Sequence, residues 1–227
     1  MAIMLGGYTF GESVTSAQEA VKERGGRDAR VVILHGALEG HATVEALEAE
    51  LDAIAAAASA TELTPLSLRP GRRLLVRRAG FTRQVYRDAR TAVFELRLEA
   101  DDAFEQAEEE TVVAGVFMGT QLELEVPADG NTPALPRIAI TPSGGATRPR
   151  LTAGGRSLLY DGVVPAGTTL VIDASAGLVS LDDEDVTPYT EGLPPWLPPG
   201  NTLLAYSDES VAMPDVAVEV RFSSRWW

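Results

Sequence analysis

The spacing of apolar residues predicts one helix in this chain. From Thr43 to about Ala58, apolar residues recur at helical spacing: Ala46, Leu47, Leu51 and Ile54. Asp and Glu occupy the remaining face, and the hydroxyl of Thr43 is well placed to cap the first turn. These features indicate an amphipathic helix that packs against another layer.

The rest of the first half has the pattern of strands. Ile3–Phe10 predicts a strand, residues 11–29 are polar and show no clear period, and Arg30–His35 predicts a buried strand followed by a turn at Gly36–Gly40. Beyond Pro65 the period changes to two, with strands around these pairs or ranges: Leu66/Leu68, Leu74/Val76, Phe81/Val85 and Val93–Leu98. Pro70-Gly71 and Ala79-Gly80 are expected to form turns. A small curved sheet or barrel covered by the helix is the expected architecture.

The second half is almost entirely β in pattern. Apolar stretches recur about every ten residues, separated by Gly- and Pro-rich turns: Val112–Phe117, Leu122–Val126, Pro136–Thr141, Leu158–Tyr160, Leu170–Ile172 and Leu178–Leu181. This spacing predicts a β-sandwich or jelly roll. The change of pattern predicts two domains, residues 1–110 and residues 111–227.

The C-terminal end completes the predicted sandwich. A Pro- and Gly-rich lead-in at Gly192–Asn201 precedes a short strand at Thr202–Tyr206. In the next strand alternate residues are apolar, which predicts that they are buried: Val216, Val218, Val220 and Phe222. Trp226 and Trp227 end the chain, and we expect them to be docked, anchoring the last strand.

Composition excludes several classes of protein. The chain has 227 residues, of which 45% are hydrophobic, so it has enough apolar residues for two modest cores. It has no cysteine and no apolar run long enough to span a membrane. Its first residues lack the basic and apolar segments of a secretory signal, so we expect no such signal. We expect it to be made and folded in a cytoplasm, whatever its final position.

Charge is distributed unevenly. The net charge of −14 argues against non-specific binding of nucleic acid. A basic stretch from Arg69 to Arg90 contains eight arginines, and an acidic run from Glu99 to Glu110 follows it. Two interpretations stay open: solvated hairpin faces, or a head-to-tail surface in which one subunit's arginines meet the next subunit's carboxylates.

Searches for catalytic and metal-binding patterns find little. His35 and His41 flank the predicted turn, but no cysteine and few carboxylates are near them in sequence, so a zinc site is not expected. Asp182–Asp185 lacks the spacing of a calcium loop, and Pro142–Pro149 lacks the lysine and the following helix of a phosphate loop. No nucleophile elbow is present. We predict no catalytic, cofactor or metal site, and no enzyme activity.

The aromatic residues of the second half allow two interpretations. Trp196, Tyr189 and Tyr206 are the candidates for a stacking platform that binds a sugar ring. The alternative is that Trp196 covers one end of the sandwich, which its apolar neighbours favour.

Several segments, taken in order, resemble the phage distal tail (Dit-like) proteins. Arg30–Phe104 is similar to the N-terminal domain of that family, although Ala103 stands where the family commonly has proline before phenylalanine. Gly130–Thr141 and Leu158–Asp173 resemble the family's sandwich, and the C-terminal ending resembles its last strands. Residues 1–29 match least well.

The resemblance implies a function in the virion. It implies an N-terminal ring-forming domain, a galectin-like C-terminal sandwich, and a structural role at the tail tip after assembly in the host cytoplasm. The expected partners are further copies of the chain in a ring, a hexamer in this family, together with the tail tube, tape-measure and tail-hub or fibre proteins. DNA would pass through the ring without specific binding, and no membrane insertion is expected.

The charge pattern and the resemblance together give candidate subunit contacts. They are Arg72, Arg73, Arg77, Arg78, Asp101, Asp102 and Glu105. The acidic helix or the Glu99–Glu110 run is expected to line the ring. The alternatives are a carbohydrate-binding module for surface attachment and, less favoured, a hydrolase with an unrecognised site.

Overall fold

The computed structural model describes residues 2–24 and 27–227. The protein is mostly β, with 57% of residues in strands, 7% helical and one α-helix. The chain folds into two compact units, Met1–Glu108 with Trp227, and Glu109–Trp226. The described part of the chain contains no helix with the length and apolar composition that crossing a bilayer requires.

The first unit is one sheet covered by one helix. Its elements in chain order are β1 (Met4–Leu5), β2 (Tyr8–Thr9), β3 (Val14–Arg24), β4 (Arg27–Leu38), α1 (Val44–Ala56), β5 (Thr64–Arg69), β6 (Arg72–Tyr86), β7 (Thr91–Ala100) and β8 (Glu105–Ala107). The strand order is β2-β1-β5-β6-β7-β4-β3, and β8 pairs with β6. The described strands form an open sheet, so of the two predicted forms the curved sheet is correct and the closed barrel is wrong.

The helix forms where the apolar period predicts it. The Thr43 hydroxyl accepts a hydrogen bond from the Ala46 backbone N–H at 3.1 Å, which caps the first turn. Leu47, Leu51 and Ile54 are fully buried, but Ala46 is exposed, contrary to the prediction. The helix ends at Ala56, slightly before the predicted end.

Strand β7 shows how the sheet separates its two faces. Its even-numbered residues from Ala92 to Ala100 are buried, whereas the odd-numbered ones reach solvent. Phe94, Leu96 and Leu98 therefore pack in the core with α1, and the opposite face of the sheet is not covered by another layer of the described chain. We call this opposite face, with its odd-numbered β7 residues, the open face.

Two predicted turns are wrong because their glycines serve strands. Gly36 lies inside β4, which continues to Leu38, and a Cβ at this position would overlap the Phe94 ring. Gly80 lies beside a register shift in β6, so Ala79-Gly80 is part of a β-bulge in one strand of 15 residues. Glycine here permits close packing and a bulge instead of chain reversal.

The N-terminal segment also differs from the prediction. Ile3–Phe10 contains the tight β1–β2 hairpin, in which Gly6 has φ +56°, instead of a single strand. The polar segment at residues 11–29 contains all of β3 and the start of β4. Positions 15–22 are all exposed, so neither face of β3 is buried there and the sequence carries no alternation to reveal the strand.

The second unit is a two-sheet sandwich. Its strands in chain order are β9 (Thr111–Met118), β10 (Glu123–Ala128), β11 (Arg137–Pro142), β12 (Ala146–Thr147), β13 (Arg150–Ala153), β14 (Arg156–Tyr160), β15 (Val163–Val164), β16 (Leu170–Asp173), β17 (Leu178–Leu181), β18 (Glu184–Asp185), β19 (Thr190–Gly192), β20 (Gly200–Ser207), β21 (Asp215–Phe222) and β22 (Arg225–Trp226). One sheet has the order β10-β20-β13-β14-β19 and the other has β18-β17-β16-β11-β21-β9. Each predicted strand of this half is present, while the short strands β12, β13, β15, β18, β19 and β22 were not predicted.

The sandwich core lies between the two sheets. It contains Phe117, Ile138, Ile140, Leu204 and Val218, all essentially buried. The rings of Phe117 and Tyr206 stack with centroids 5.2 Å apart. The alternating residues Val216, Val218, Val220 and Phe222 of β21 are buried as predicted.

Candidate assembly site

A buried charge network lies around Glu105 in the first unit. Glu105 is only 3% exposed, and its carboxylate is hydrogen-bonded by Arg69. Arg30 and Arg72 approach the same carboxylate, with nitrogen–oxygen distances of 3.9 and 3.7 Å. Glu19 bridges Arg30 at 3.2 Å and Arg69 at 3.0 Å. The network, which we call the Glu105 cluster, joins β3, β4, β5, β6 and β8.

The positive charges of the neighbouring arginines offset the free-energy cost of burying the Glu105 carboxylate. Partial burial acts to lower the pKa of Arg69, but its hydrogen bonds with Glu19 and Glu105 outweigh burial and raise that pKa. A buried carboxylate with several guanidinium partners keeps its hydrogen bonds, whereas removal of one partner leaves a charge uncompensated. The Glu105 cluster therefore depends on all its members.

Apart from Arg73, the other predicted contact residues also have partners within the chain. Arg77 forms an ion pair with Asp101, and Arg78 donates to the Ala55 carbonyl at the end of the helix. The Asp102 carboxylate accepts a hydrogen bond from the Phe104 N–H at 3.2 Å. The Nε of Arg73 is buried and lacks a hydrogen-bond partner among the described residues. A contact of these residues with a second subunit stays a prediction.

The remaining arginines of the basic stretch neutralise the acidic helix. Arg83 pairs with Asp52 at 2.6 Å, and Arg87 pairs with Glu48 at 2.8 Å. Sequence reasoning missed these pairs because β6 and α1 are far apart in the chain.

A second polar cluster ties the N-terminal hairpin to the helix. Tyr8 donates to Glu50 Oε1 at 2.9 Å, and His41 Nε2 lies 2.6 Å from Glu50 Oε2. The hydrogen bond with His41 lowers the pKa of Glu50, and burial followed by the Glu50 contact raises the pKa of Tyr8. We call these three residues the Glu50 cluster.

The two histidines have different partners. His35 lies on the open face, where its Nδ1 is 3.7 Å from Glu95 Oε2, and it lines a shallow groove with Thr82 and Gln84. His41 belongs to the Glu50 cluster. Within residues 2–24 and 27–227, no group of three or more candidate ligands could hold a metal ion.

Strand β3 offers a free backbone edge. It pairs only with β4 and stands at the end of the sheet order of the described strands. The side chains at positions 15–22 are exposed on both faces, and most of them are small or polar. A strand so placed gains little from its own unit, and its unpaired edge is free to accept another strand.

Of the three aromatic residues predicted as a possible sugar platform, Tyr189 is exposed, whereas Tyr206 and Trp196 are engaged within the second unit. Tyr206 is buried against Phe117, so it has no free ring face. The guanidinium of Arg156 lies over the Trp196 ring at 3.7 Å, and Trp196 Nε1 donates to the Gly154 carbonyl. Trp196 therefore covers the β13–β14 hairpin, in agreement with the second interpretation.

The acidic turn and the Gly-rich loop have structural roles. Asp182 and Asp183 have positive φ in the turn between β17 and β18, and Asp182 Oδ1 accepts the Thr169 N–H at 3.0 Å. Hydrogen bonds from Thr187 lower the pKa of Asp185. The Pro142–Pro149 segment contains β12, which pairs with β15.

The terminal tryptophans are placed differently from the prediction. Trp227 is grouped with the first unit, and its ring centroid lies 5.0 Å from that of Phe104. The expectation that both tryptophans anchor the last strand of the sandwich is therefore wrong for Trp227. Aromatic contact with a residue distant in sequence explains its position.

Comparison with known proteins agrees with the fold described for each unit. Residues 129–226 match the family profile of the siphovirus-type tail component, C-terminal domain. The crystal structure of the SPP1 Dit protein, described as a paradigm of the hub adsorption apparatus in phages that infect Gram-positive bacteria, has a TM-score of 0.67 with 15% identity. That match covers 100% of this chain and 99% of the other. A search of curated protein sequences gives no match.

The two findings cover different parts of the chain. The family profile covers most of the sandwich, whereas the structural likeness, at its low identity, shows the fold of both units. The Gly130–Thr141 and Leu158–Asp173 segments, on which the sequence resemblance rests, lie inside the matched range. The sandwich is therefore similar in sequence to the C-terminal domain of siphovirus-type tail components, and the chain shares the fold of the SPP1 Dit protein.

Proposed function

We propose that this Dit-like protein is a structural component of a phage tail tip and forms a homo-hexameric ring there. The ring would join the tail tube to the baseplate or adsorption apparatus, in contact with the tape-measure and tail-hub or fibre proteins. The observation that carries the proposal is agreement with the SPP1 Dit fold along the whole chain, not only over the sandwich. Assembly would take place in the host cytoplasm and end in the virion.

Two domains, residues 1–110 and residues 111–227, would have different roles in this assembly. The first would form the ring, because β3 has an unpaired edge and the open face lacks a covering layer among the described elements. The second would be a galectin-like sandwich that faces other tail proteins. The boundary between the compact units falls after Glu108, slightly before the predicted one.

Among the predicted charged contacts, exposed pairs are better candidates than buried ones. Arg77 and Asp101 both reach solvent, so each can change partner when a neighbouring subunit arrives. Glu105 cannot, since separation from its arginines would leave a buried charge uncompensated. The head-to-tail contact would therefore use Arg77, Asp101 and Asp102 more than the Glu105 cluster.

The ring would let DNA pass without holding it. The net charge of −14 disfavours phosphate contacts, and the arginines at positions 77, 78, 83 and 87 all have internal partners. A gel shift with duplex DNA at low salt should show no tight complex. Salt-sensitive binding that is lost on alanine substitution of Arg72, Arg73, Arg77 and Arg78 would contradict this path for DNA.

The protein would act by assembly, without catalysis or bound metal. Elemental analysis of the purified protein should show no stoichiometric zinc or calcium, since the histidines and the acidic turn have structural partners. A stoichiometric metal would contradict this part of the proposal.

The ring interface is tested at the β3 edge. Ala17→Arg places a bulky charged side chain on the exposed strand, and Ala166→Arg places the same side chain on an exposed turn of the second unit. We expect Ala17→Arg to shift the assembly toward monomer in size-exclusion chromatography with light scattering, and Ala166→Arg to leave it unchanged. Equal behaviour of the two variants would exclude β3 from the interface.

A further inference from the structure

Strand β9 is an apolar strand at the edge of a sheet. It ends the order of the six-stranded sheet, and none of its eight residues carries a charge. Val112, Val116 and Met118 point away from the core and are 47%, 48% and 59% exposed. Ala114, on the same face, is exposed as well. The strand therefore presents an apolar row beside an open backbone edge.

The other edge strands of the two sandwich sheets carry charges that discourage pairing. Strand β18 consists of Glu184 and Asp185, and β19 contains Glu191. Strand β10 carries Glu123, Glu125 and Pro127. Charged side chains and proline are the usual means by which soluble proteins protect an edge, and β9 lacks both.

The backbone N–H and C=O groups of β9 are hydrogen-bonded to a neighbouring strand along one edge only. It pairs with β21 along its whole length, from Thr111 opposite Phe222 to Met118 opposite Asp215. Within the described part of the chain, Met118 alone makes a further backbone bond, to Gln121 in its own turn. The free edge is about 26 Å long at the usual rise of a strand. This length is enough for another strand of comparable size.

The charge around β9 selects the kind of strand that fits. Carboxylates lie just before its start and on the adjoining β21: Glu109, Glu110, Asp215 and Glu219. The nearest arginine, Arg221, is already paired with Glu219 at 2.6 Å and with Glu110 at 3.6 Å. The apolar row is thus surrounded by negative charge.

We propose that β9 binds, by strand addition, an extended segment of a different tail protein with alternating apolar side chains and Lys or Arg at its ends. Main-chain hydrogen bonds to the free edge would supply affinity, and the apolar row would accept alternate side chains. The β9 edge of a second copy is a poor occupant, because pairing two β9 strands would bring the same carboxylates against each other. This site lies outside the proposed ring interface, and binding there does not require the ring.

A synthetic peptide tests the site. The probe alternates valine and threonine and carries a pair of lysines at each end, and its binding to the full-length protein is measured by fluorescence anisotropy. We expect saturable binding and slower hydrogen exchange of the β9 amides. Val116→Lys should weaken binding about tenfold or more, because it puts a like charge and a bulky polar group on the edge.

A matched variant and two altered peptides control the test. Leu203→Lys changes an apolar residue that is 55% exposed, comparable to Val116, but on β20, which lies between two strands. It should leave the affinity within about twofold of the original protein. A peptide with prolines in place of the threonines cannot donate the edge hydrogen bonds and should not bind. A peptide with glutamates at its ends should bind several-fold more weakly than the lysine peptide.

Several results would overturn the proposal. These are no binding of the lysine peptide, equal binding of the proline or glutamate peptides, or equal effects of Val116→Lys and Leu203→Lys. Concentration-dependent dimerisation of the protein that Val116→Lys abolishes would mean that a second copy occupies the edge, which would also overturn it.

Discussion

The two units solve the problem of burying a sheet in different ways. The first unit covers one face of its sheet with a helix and ties its edges together with charged side chains, above all in the Glu105 cluster. The second unit packs two sheets against each other, and its ion pairs lie at the surface, as in the Arg148 pairs with Asp161 and Glu209. Buried ion pairs therefore contribute to the stability of the first unit, whereas apolar packing supplies most of the stability of the second.

This difference bears on assembly. The first unit has an uncovered face and several exposed ion pairs. Each exposed pair contributes little to stability, so its members can change partners when a neighbouring subunit arrives. A sandwich with an apolar core is closed except at its edges. The first unit is therefore the better candidate for the ring-forming part, and the second unit for a rigid platform.

The largest effect is expected in the sandwich core. Phe117→Ala removes a fully buried ring that stacks on Tyr206 and should lower the free energy of unfolding by about 3–5 kcal/mol. Chemical denaturation, followed through the unfolding transition of the second unit, measures this loss. The loss should be the same at pH 5 and pH 8, since packing carries no proton linkage. A strong dependence of this loss on pH would contradict the conclusion that packing, and not ion pairing, stabilises the second unit.

A smaller loss is expected when the Glu105 cluster is opened. Glu105→Ala should destabilise the first unit by about 2–3 kcal/mol, less than for a fully buried pair because the Arg69 side chain is 45% exposed. Asp161→Ala in the second unit is the matched control and should cost less than about 1 kcal/mol. Equal losses for the two variants would mean that the first unit does not depend on buried charge.

The sequence predicted much of this arrangement, with clear limits. Alternation located β7, β11, β16, β17 and β21 because each has one buried face, and the helix because its apolar residues follow one stripe. Strand β3 was missed because neither of its faces is buried at positions 15–22. Gly36 was misread because local sequence does not show that the Phe94 ring lies against it.

The candidate site was predictable only as a set of charged residues. The sequence shows that arginines precede carboxylates, but not that Arg77 meets Asp101 or that Arg83 meets Asp52, since those pairs depend on strand register and on the position of the helix. The order of charges along the sequence is the same whether these residues pair inside one chain or between subunits, so it does not distinguish the two interpretations.

The Glu50 cluster gives the first unit a pH dependence. The pKa of Glu50 is lower in the folded protein than in the unfolded chain, mainly through the hydrogen bond with His41. Its contribution is therefore present above the unfolded pKa and is lost as pH falls through the folded pKa. Glu50→Gln should cost about 1 kcal/mol at pH 7 and progressively less in acid, measured by urea unfolding.

Asp52→Asn serves as the control for that series. Asp52 belongs to an exposed pair on the same helix, and its carboxylate reaches solvent. The substitution should change stability by about a few tenths of a kcal/mol at neutral pH. A Glu50→Gln effect that grows toward low pH would contradict the assignment.

An effect of similar size to that of Glu50→Gln is expected at the helix cap. Thr43→Ala removes the acceptor for the Ala46 N–H and should cost about 1 kcal/mol, while Thr43→Ser should restore most of it. The change should appear in the unfolding of the first unit and leave the second unit unaffected. A loss in both units would show that they unfold together.

The mass of the assembly tests the central claim most directly. Light scattering at high protein concentration and low salt should give about six times the chain mass of 24.1 kDa, and the species should shrink as salt screens the exposed pairs over about 8 Å. Images of intact virions should show the same six copies around the tail tip. A protein that stays monomeric at high concentration and low salt, and is also single in the virion, would contradict the account.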